Sequence, residues 1–114
     1  MNKKEIANVL ELHKKWLNNE DDGARADIRD ADLRGADLRV ADLRDADLRD
    51  ACIDFSCLPL WCGSKGMIVD RRIAAQIAAH FCALSCDDPD YQSARSAILE
   101  FAKTSHRAGD LGLL

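Results

Sequence analysis

The chain has 114 residues, of which 47% are apolar and only 5% aromatic, so we expect a single domain with a thin, alanine-rich core. Charged residues make up 32% of the chain and the net charge is −4, which excludes a polybasic nucleic-acid binder. No apolar stretch reaches the length of about eighteen residues that a membrane span needs, and no signal peptide is apparent. The five cysteines, an odd number, predict reduced thiols and a cytoplasmic location.

The first predicted element is an amphipathic helix over residues 3–18. Its stripe has helical spacing and consists of Ile6, Val9, Leu10, His13, Trp16 and Leu17. Residues 18–23, rich in Asn, Asp and Gly, end the helix and turn the chain. We therefore expect residues 1–22 to cap the segment that follows.

A five-residue repeat begins at Ala26. The units read Ala-Asp-Ile-Arg-Asp, Ala-Asp-Leu-Arg-Gly, Ala-Asp-Leu-Arg-Val and two copies of Ala-Asp-Leu-Arg-Asp, followed by the weaker Ala-Cys-Ile-Asp-Phe and Ser-Cys-Leu-Pro-Leu. A helix turns about 500° in five residues, so it would scatter the central Leu and Ile side chains over all its faces. A chain that turns at every unit would instead point these side chains and the preceding Ala inward, with Asp and Arg outward.

This pattern resembles the pentapeptide-repeat family, whose consensus is a small residue, a polar one, Leu or Phe, and two polar ones. The resemblance implies a right-handed quadrilateral β-helix with four pentapeptides per coil, here about two coils. Residue i would then lie below residue i+20. Leu43 would meet Gly63, so we expect the repeats to end near Lys65 and to occupy residues 23–65.

Residues 66–114 predict a helical hairpin and a tail. Asp70 is the expected N-cap of the first helix, and Asp88-Pro89 is expected to begin the second. The apolar residues of the hairpin and tail include Phe81, Leu111, Leu113 and Leu114. Because pentapeptide proteins often dimerise through C-terminal segments, we expect a homodimer through this part of the chain.

The repeat carries an excess of acid. Residues 20–60 contain twelve Asp or Glu and six Arg, giving −6, more acidic than the whole chain. Pentapeptide proteins that protect bacterial gyrase act as DNA look-alikes, so the resemblance implies a non-enzymatic, DNA-mimic-type inhibitor of a host nucleic-acid-handling or defence protein. The predicted partner has a basic nucleic-acid-binding surface, and neither nucleic acid nor membrane is bound directly. The predicted contact residues are Asp27, Asp32, Asp37, Asp42 and Asp47.

Two other functions remain open. Small phage-type pentapeptide proteins share the organisation of this chain, including its Leu-Trp-Cys-Gly-Ser exit and its late His-Arg, and the irregular exit could line a pocket for a nucleotide signal. The residues of this alternative ligand site are Trp61, Arg72, His80, His106 and Arg107. The same stretch would equally serve as a capping junction, and the chain as a structural adaptor.

Metal binding and catalysis are the weakest hypotheses. The soft ligands available to zinc are Cys57, Cys62, His80, Cys82 and Cys86. On one helix Cys82 and Cys86 share a face, but His80 points elsewhere, and no Cys-x-x-Cys pair is present. We therefore predict no metal, no cofactor, no catalytic residue and no enzymatic activity.

Overall fold

The structure is a computed structural model that describes all 114 residues. The chain divides into two compact units, Met1–Asp70 and Arg71–Leu114. The helices are α1 (Lys3–Leu17), α2 (Arg71–Cys82) and α3 (Pro89–Ala102), and a short 3-10 turn spans Cys62–Ser64. None of these helices combines the length and the apolar character that crossing a bilayer demands.

The predicted N-terminal helix is confirmed as α1. It begins with a capping box, in which the Asn2 side chain accepts from the Glu5 backbone N–H and the Glu5 carboxylate accepts from that of Asn2. His13, predicted to lie on the apolar stripe, is fully buried. Its Nδ1 accepts from the Ala26 backbone N–H at 2.9 Å, so its Nε2 donates to the Arg44 carbonyl at 2.7 Å. One imidazole thus joins α1 to two points of the repeat.

The repeats turn at every unit, and each unit pairs with the fourth unit after it. Each turn is closed by a bond such as that from the Ala31 N–H to the Ile28 carbonyl, 3.2 Å. Between circuits, the Leu33 N–H donates to the Cys52 carbonyl at 2.8 Å, and the Cys52 N–H donates to the Ala31 carbonyl at 3.0 Å. Four turns therefore complete one circuit, which we call a coil.

Each coil has four sides. The ranges 26–30 and 46–50 form side 1, and the ranges 31–35 and 51–55 form side 2. The ranges 36–40 and 56–60 form side 3, and the ranges 41–45 and 62–66 form side 4. The fifth residue of each unit stands at the corner between two sides.

The predicted right-handed quadrilateral β-helix is wrong as a fold class. Regular secondary structure consists of the three helices, and the repeats form no strand, only isolated parallel bridges. These bridges join Asp27 to Asp47, Asp32 to Cys52, Asp37 to Cys57 and Asp47 to Ile68. The physical reason is the length of the unit: the turn uses most of its five residues and leaves one for bridging, whereas a strand needs consecutive bridged residues.

The inward orientation of the small and aliphatic positions is confirmed. The central residues Ile28, Leu33, Leu38, Leu43, Leu48 and Ile53 are all buried. The neighbouring Ala26, Ala31, Ala46 and Ala51 are buried with them. This column of side chains is the core of the first unit.

Pairing continues beyond the predicted end at Lys65. The Leu38 N–H donates to the Cys57 carbonyl, but the Leu43 N–H donates to the carbonyl of Gly63 and not to that of Cys62, which the same register would select. One extra residue has therefore entered the second coil near the fully exposed Leu60. With that shift the ladder goes on to Ile68, whose carbonyl accepts from the Leu48 N–H at 2.8 Å.

The second unit is the predicted helical hairpin with its tail. Asp88 caps α3 and Pro89 occupies its first turn, as expected. The Tyr91 hydroxyl lies within hydrogen-bonding distance of the carbonyls of Phe81 (2.7 Å) and Leu84 (3.0 Å), to which it can donate its one hydrogen, and this ties α3 to the loop between α2 and α3. The core of this unit contains Ala79, Cys82, Ala102, Ala108 and Leu113, with Phe81, Ile98, Leu99 and Leu111 packed against it. Leu111, Leu113 and Phe81 therefore pack within the unit itself, which makes them poorer candidates for the expected homodimer contact.

Candidate protein-binding surface

The five aspartates predicted to bind a partner are all held by arginines. In each unit, the Arg two positions after the Asp donates from Nε and Nη2 to the two carboxylate oxygens, and the Nη2 distances are 2.6–2.8 Å. The pairs are Asp27–Arg29, Asp32–Arg34, Asp37–Arg39, Asp42–Arg44 and Asp47–Arg49. The Asp Oδ1 also accepts from the Arg backbone N–H at 3.1–3.3 Å. We call this arrangement the Asp–Arg fork.

The fork stabilises the charged form of each aspartate. Hydrogen bonds from the arginine side chain are the main cause, and they lower the pKa of Asp32, Asp37 and Asp47 from the ordinary value of 3.8 to about 2. The same cause lowers the pKa of Asp27 and Asp42. Each fork is nevertheless neutral as a pair, so these carboxylates present less negative charge to a partner than the sequence suggests.

The acid excess of the repeat resides mainly at its corners. Three acids at fifth positions are exposed and take part in no fork: Asp30, Asp45 and Asp50. All three have φ of 61–63°, the left-handed region that Asp tolerates better than most side chains. Asp30 and Asp50 stand at one edge of side 1, and Asp45 stands at the other edge. Arg25 lies at the Asp45 edge and donates from Nε to the Asp45 carbonyl at 2.8 Å, so the strongest negative field of side 1 is expected at the edge of Asp30 and Asp50.

These corner acids are the candidate contact residues that sequence reasoning missed. The signal was present, because Asp and Gly dominate the fifth position, and both residue types suit a turn with positive φ. Gly35 follows the rule with φ 69°, whereas the β-branched Val40 is not among the positive-φ residues. Composition had shown the excess of acid over residues 20–60; Asp30, Asp45 and Asp50 supply three of the seven acids outside the forks, and the others are Glu20, Asp21, Asp22 and Asp54.

The five residues of the alternative ligand site lie in both units. Trp61 belongs to the first unit, where its Nε1 donates to the Arg39 carbonyl at 3.0 Å and its exposed fraction is 47%. Arg72 and His80 are exposed on α2. His106 and Arg107 follow α3, and Arg107 Nη1 contacts Asp110 Oδ2 at 3.2 Å.

The cysteines are free thiols in different settings. Cys57 and Cys62 are exposed in the repeat, Cys82 is buried under the hairpin, and Cys86 is exposed in its loop. No group of three or more His, Cys, Asp or Glu side chains in the structure is arranged to hold a metal ion.

Comparison with known proteins identifies the repeat. The model of the family described as Pentapeptide repeats matches residues 24–58, in eight copies. This segment therefore consists of pentapeptide repeats, and pentapeptide-repeat proteins are generally non-catalytic. Neither the curated proteins nor the solved structures include a significant match to the chain. Phage origin stays a prediction.

Proposed function

We propose that this chain is a non-enzymatic interaction protein that captures a partner through the partner's basic, nucleic-acid-binding surface. Inhibition of the partner by imitation of DNA is the form of this function that we favour. A host nucleic-acid-handling or defence protein is the expected target. The five free cysteines fit the reducing cytoplasm that such a partner shares.

The observation that carries the proposal is the set of three corner acids bordering side 1. Their backbone is fixed: the Asp30 N–H donates to the Arg49 carbonyl at 3.1 Å, and the Asp45 N–H to that of Lys65 at 3.2 Å. The Asp50 N–H is held by the Asp70 carboxylate. Carboxylates on a preorganised backbone lose less conformational entropy on binding than carboxylates on a mobile loop.

In this proposal the Asp–Arg forks stabilise the surface and do not bind the partner. On side 1, Arg29 donates to Asp27 and also lies 3.9 Å from Asp47, so it links the two coils. Asp47 is itself buried, with its carboxylate held by Arg49. We therefore assign the forks to holding the surface in shape and the corner acids to attracting the partner, a change from the predicted roles.

A capture experiment tests the proposal. The immobilised protein should retain its partner from a cell lysate, and added duplex DNA should release that partner, because both compete for one basic surface. The triple variant Asp30→Asn, Asp45→Asn, Asp50→Asn should reduce capture by about tenfold or more, and raised salt should weaken it as well.

A matched control separates position from net charge. The variant Asp87→Asn, Asp90→Asn, Glu100→Gln removes three exposed acids from the second unit and changes the net charge equally. It should capture the partner as the natural chain does. Equal loss in both variants, or capture that duplex DNA does not displace, would refute binding through side 1.

A further inference from the structure

The corners around side 3 carry exposed apolar side chains instead of acids. Val40 is 90% exposed, Phe55 is 77% exposed, and Leu60 is fully exposed. Phe55 stands at the edge between sides 2 and 3, while Val40 and Leu60 stand at the edge between sides 3 and 4. In a chain with 32% charged residues, such a cluster of large apolar groups in water marks a contact surface.

Side 3 is also the least charged part of the repeat. The range 55–64 includes no charged side chain at all. Cys57 replaces the Asp of the consensus and Pro59 replaces the Arg. The only charges on side 3 are Asp37 and Arg39, which neutralise each other in a fork. Side 3 is thus apolar and neutral, although the repeat as a whole is acidic.

Phe55 is unfavourable for folding in two ways. Its φ of 61° lies in the left-handed region, which a bulky aromatic residue seldom adopts. Its ring is mostly exposed to water, so little burial compensates for the backbone strain. Backbone strain at an exposed side chain is typical of functional sites, among them contacts with another molecule.

A groove beside side 3 has a preset shape. It has a volume of about 440 Å³ and is lined by α1 on one wall and by the repeat on the other: Ala7, Leu10, Glu11 and Lys14 face Val40, Ala41, Asp42 and Trp61. The Trp61 ring is fixed by its hydrogen bond to the Arg39 carbonyl. The ring also lies so close to Gly63 that a Cβ there would come within 2.5 Å of it. A fixed indole beside exposed aliphatic side chains is the usual composition of an interface hot spot.

We propose that side 3 is a self-association surface, on which a second copy of this chain packs through Val40, Phe55, Leu60 and Trp61. The distribution of charge around the coil favours a second copy as the occupant. Two copies of an acidic repeat repel each other on side 1, whereas side 3 is neutral, and its fork of Asp37 and Arg39 can face the same fork of the other copy in reversed order. Because sides 1 and 3 are opposite within the coil, the dimer leaves the corner acids open. This inference does not depend on the proposed function.

Sedimentation velocity over about 1 µM to about 1 mM tests the inference, a range that covers weak to moderate protein interfaces. The natural chain should pass from monomer to dimer within it. Leu60→Glu and Val40→Glu should each raise the dimer dissociation constant by about tenfold or more. The dimer should persist in molar salt, because the contact is mainly apolar.

Two further variants distinguish a lost contact from a lost structure. Leu84→Glu places the same charge on an exposed leucine of the second unit and should dimerise normally. Phe55→Gly should unfold at a higher temperature than the natural chain and yet dimerise less, a combination that a general loss of structure does not produce. A monomer throughout the range, a dimer unaffected by both Glu variants, or a monomer whose partner capture requires Leu60 would overturn the inference.

Discussion

The aspartate at the second position of each Ala-Asp-Leu-Arg or Ala-Asp-Ile-Arg unit is hydrogen-bonded to the arginine of the same unit. A spacing of two positions places both side chains on the outer surface of one unit, where the guanidinium spans both carboxylate oxygens. A planar guanidinium matches a carboxylate in this way, whereas lysine would supply only a point charge. The Ala-Asp-Leu-Arg motif therefore encodes an inward pair of residues and an outward fork in four positions.

The lowered pKa values predict how stability depends on pH. In the unfolded chain these aspartates titrate near their ordinary pKa of 3.8, and in the folded chain Asp32, Asp37 and Asp47 titrate at about 2. The folded state therefore binds fewer protons, and the stabilisation is present above about pH 4 and is lost as the pH falls towards about 2. Urea unfolding at a series of pH values should show this loss. Asp47→Asn should reduce the pH dependence and Asp87→Asn should leave it intact; equal slopes in all three chains would contradict the role of the forks.

At the scale of the elements, hydrogen bonds of the His13 side chain and of the backbone join α1 to the repeat. The Ala24 N–H donates to the Leu12 carbonyl at 3.0 Å. The next residue of α1, His13, makes the two hydrogen bonds to Ala26 and Arg44 described above. Gly23 lies against α1 so closely that a Cβ would be 2.3 Å from the Trp16 backbone nitrogen. Only glycine permits this approach. The helix thus covers the beginning of the first coil through a small number of specific contacts.

His13 should matter to stability far more than other histidines. His13→Ala leaves the Ala26 N–H and the Arg44 carbonyl buried without their partner and creates a cavity, so we expect the free energy of unfolding to fall by about 3 kcal/mol. His80→Ala, at an exposed position of α2, should change it by less than about 0.5 kcal/mol. Chemical denaturation of both variants measures the difference. A loss below about 1 kcal/mol for His13→Ala would show that the imidazole does not secure α1.

The sequence predicted the helices and the inward residues more accurately than the fold class or the surface. Spacing of Ile6, Val9 and Leu10 was enough for α1, and Asp88-Pro89 was enough for the start of α3. The family analogy overstated the strands, because a unit of five residues with its own turn bridges at only one position. The additional residue near Leu60 was missed, since a shift of one position in hydrogen bonding leaves no mark on composition.

The candidate site was predictable only in part for a similar reason. Counting charges located the acid excess in the repeat but could not separate the aspartates in forks from those at corners. That separation follows from side-chain geometry and from φ at Asp30, Asp45 and Asp50. The apolar character of side 3 becomes visible only when the two coils are placed in register, because Val40 and Leu60 are neighbours only across the coils.

At the scale of the whole repeat, the four sides of the coil carry different types of exposed side chain. Acids at the corners of side 1 and apolar groups at the corners of side 3 come from the same fifth position of the repeat. A change of residue type at that position alters the surface without disturbing the buried column of Leu and Ile. The repeat is therefore well suited to displaying two different contact surfaces on one frame.

Amide hydrogen exchange followed by NMR tests the pairing between the two coils most directly. The N–H groups of Leu33, Leu38, Cys52 and Cys57 pair between coils and should exchange slowly. The N–H groups of Asp32 and Asp37 make no such bond between coils and should exchange quickly, so within each first-coil unit the central residue should be protected and the residue before it should not. Uniformly fast exchange over the range 26–60, or uniform protection of every amide as in a continuous helix, would contradict the account.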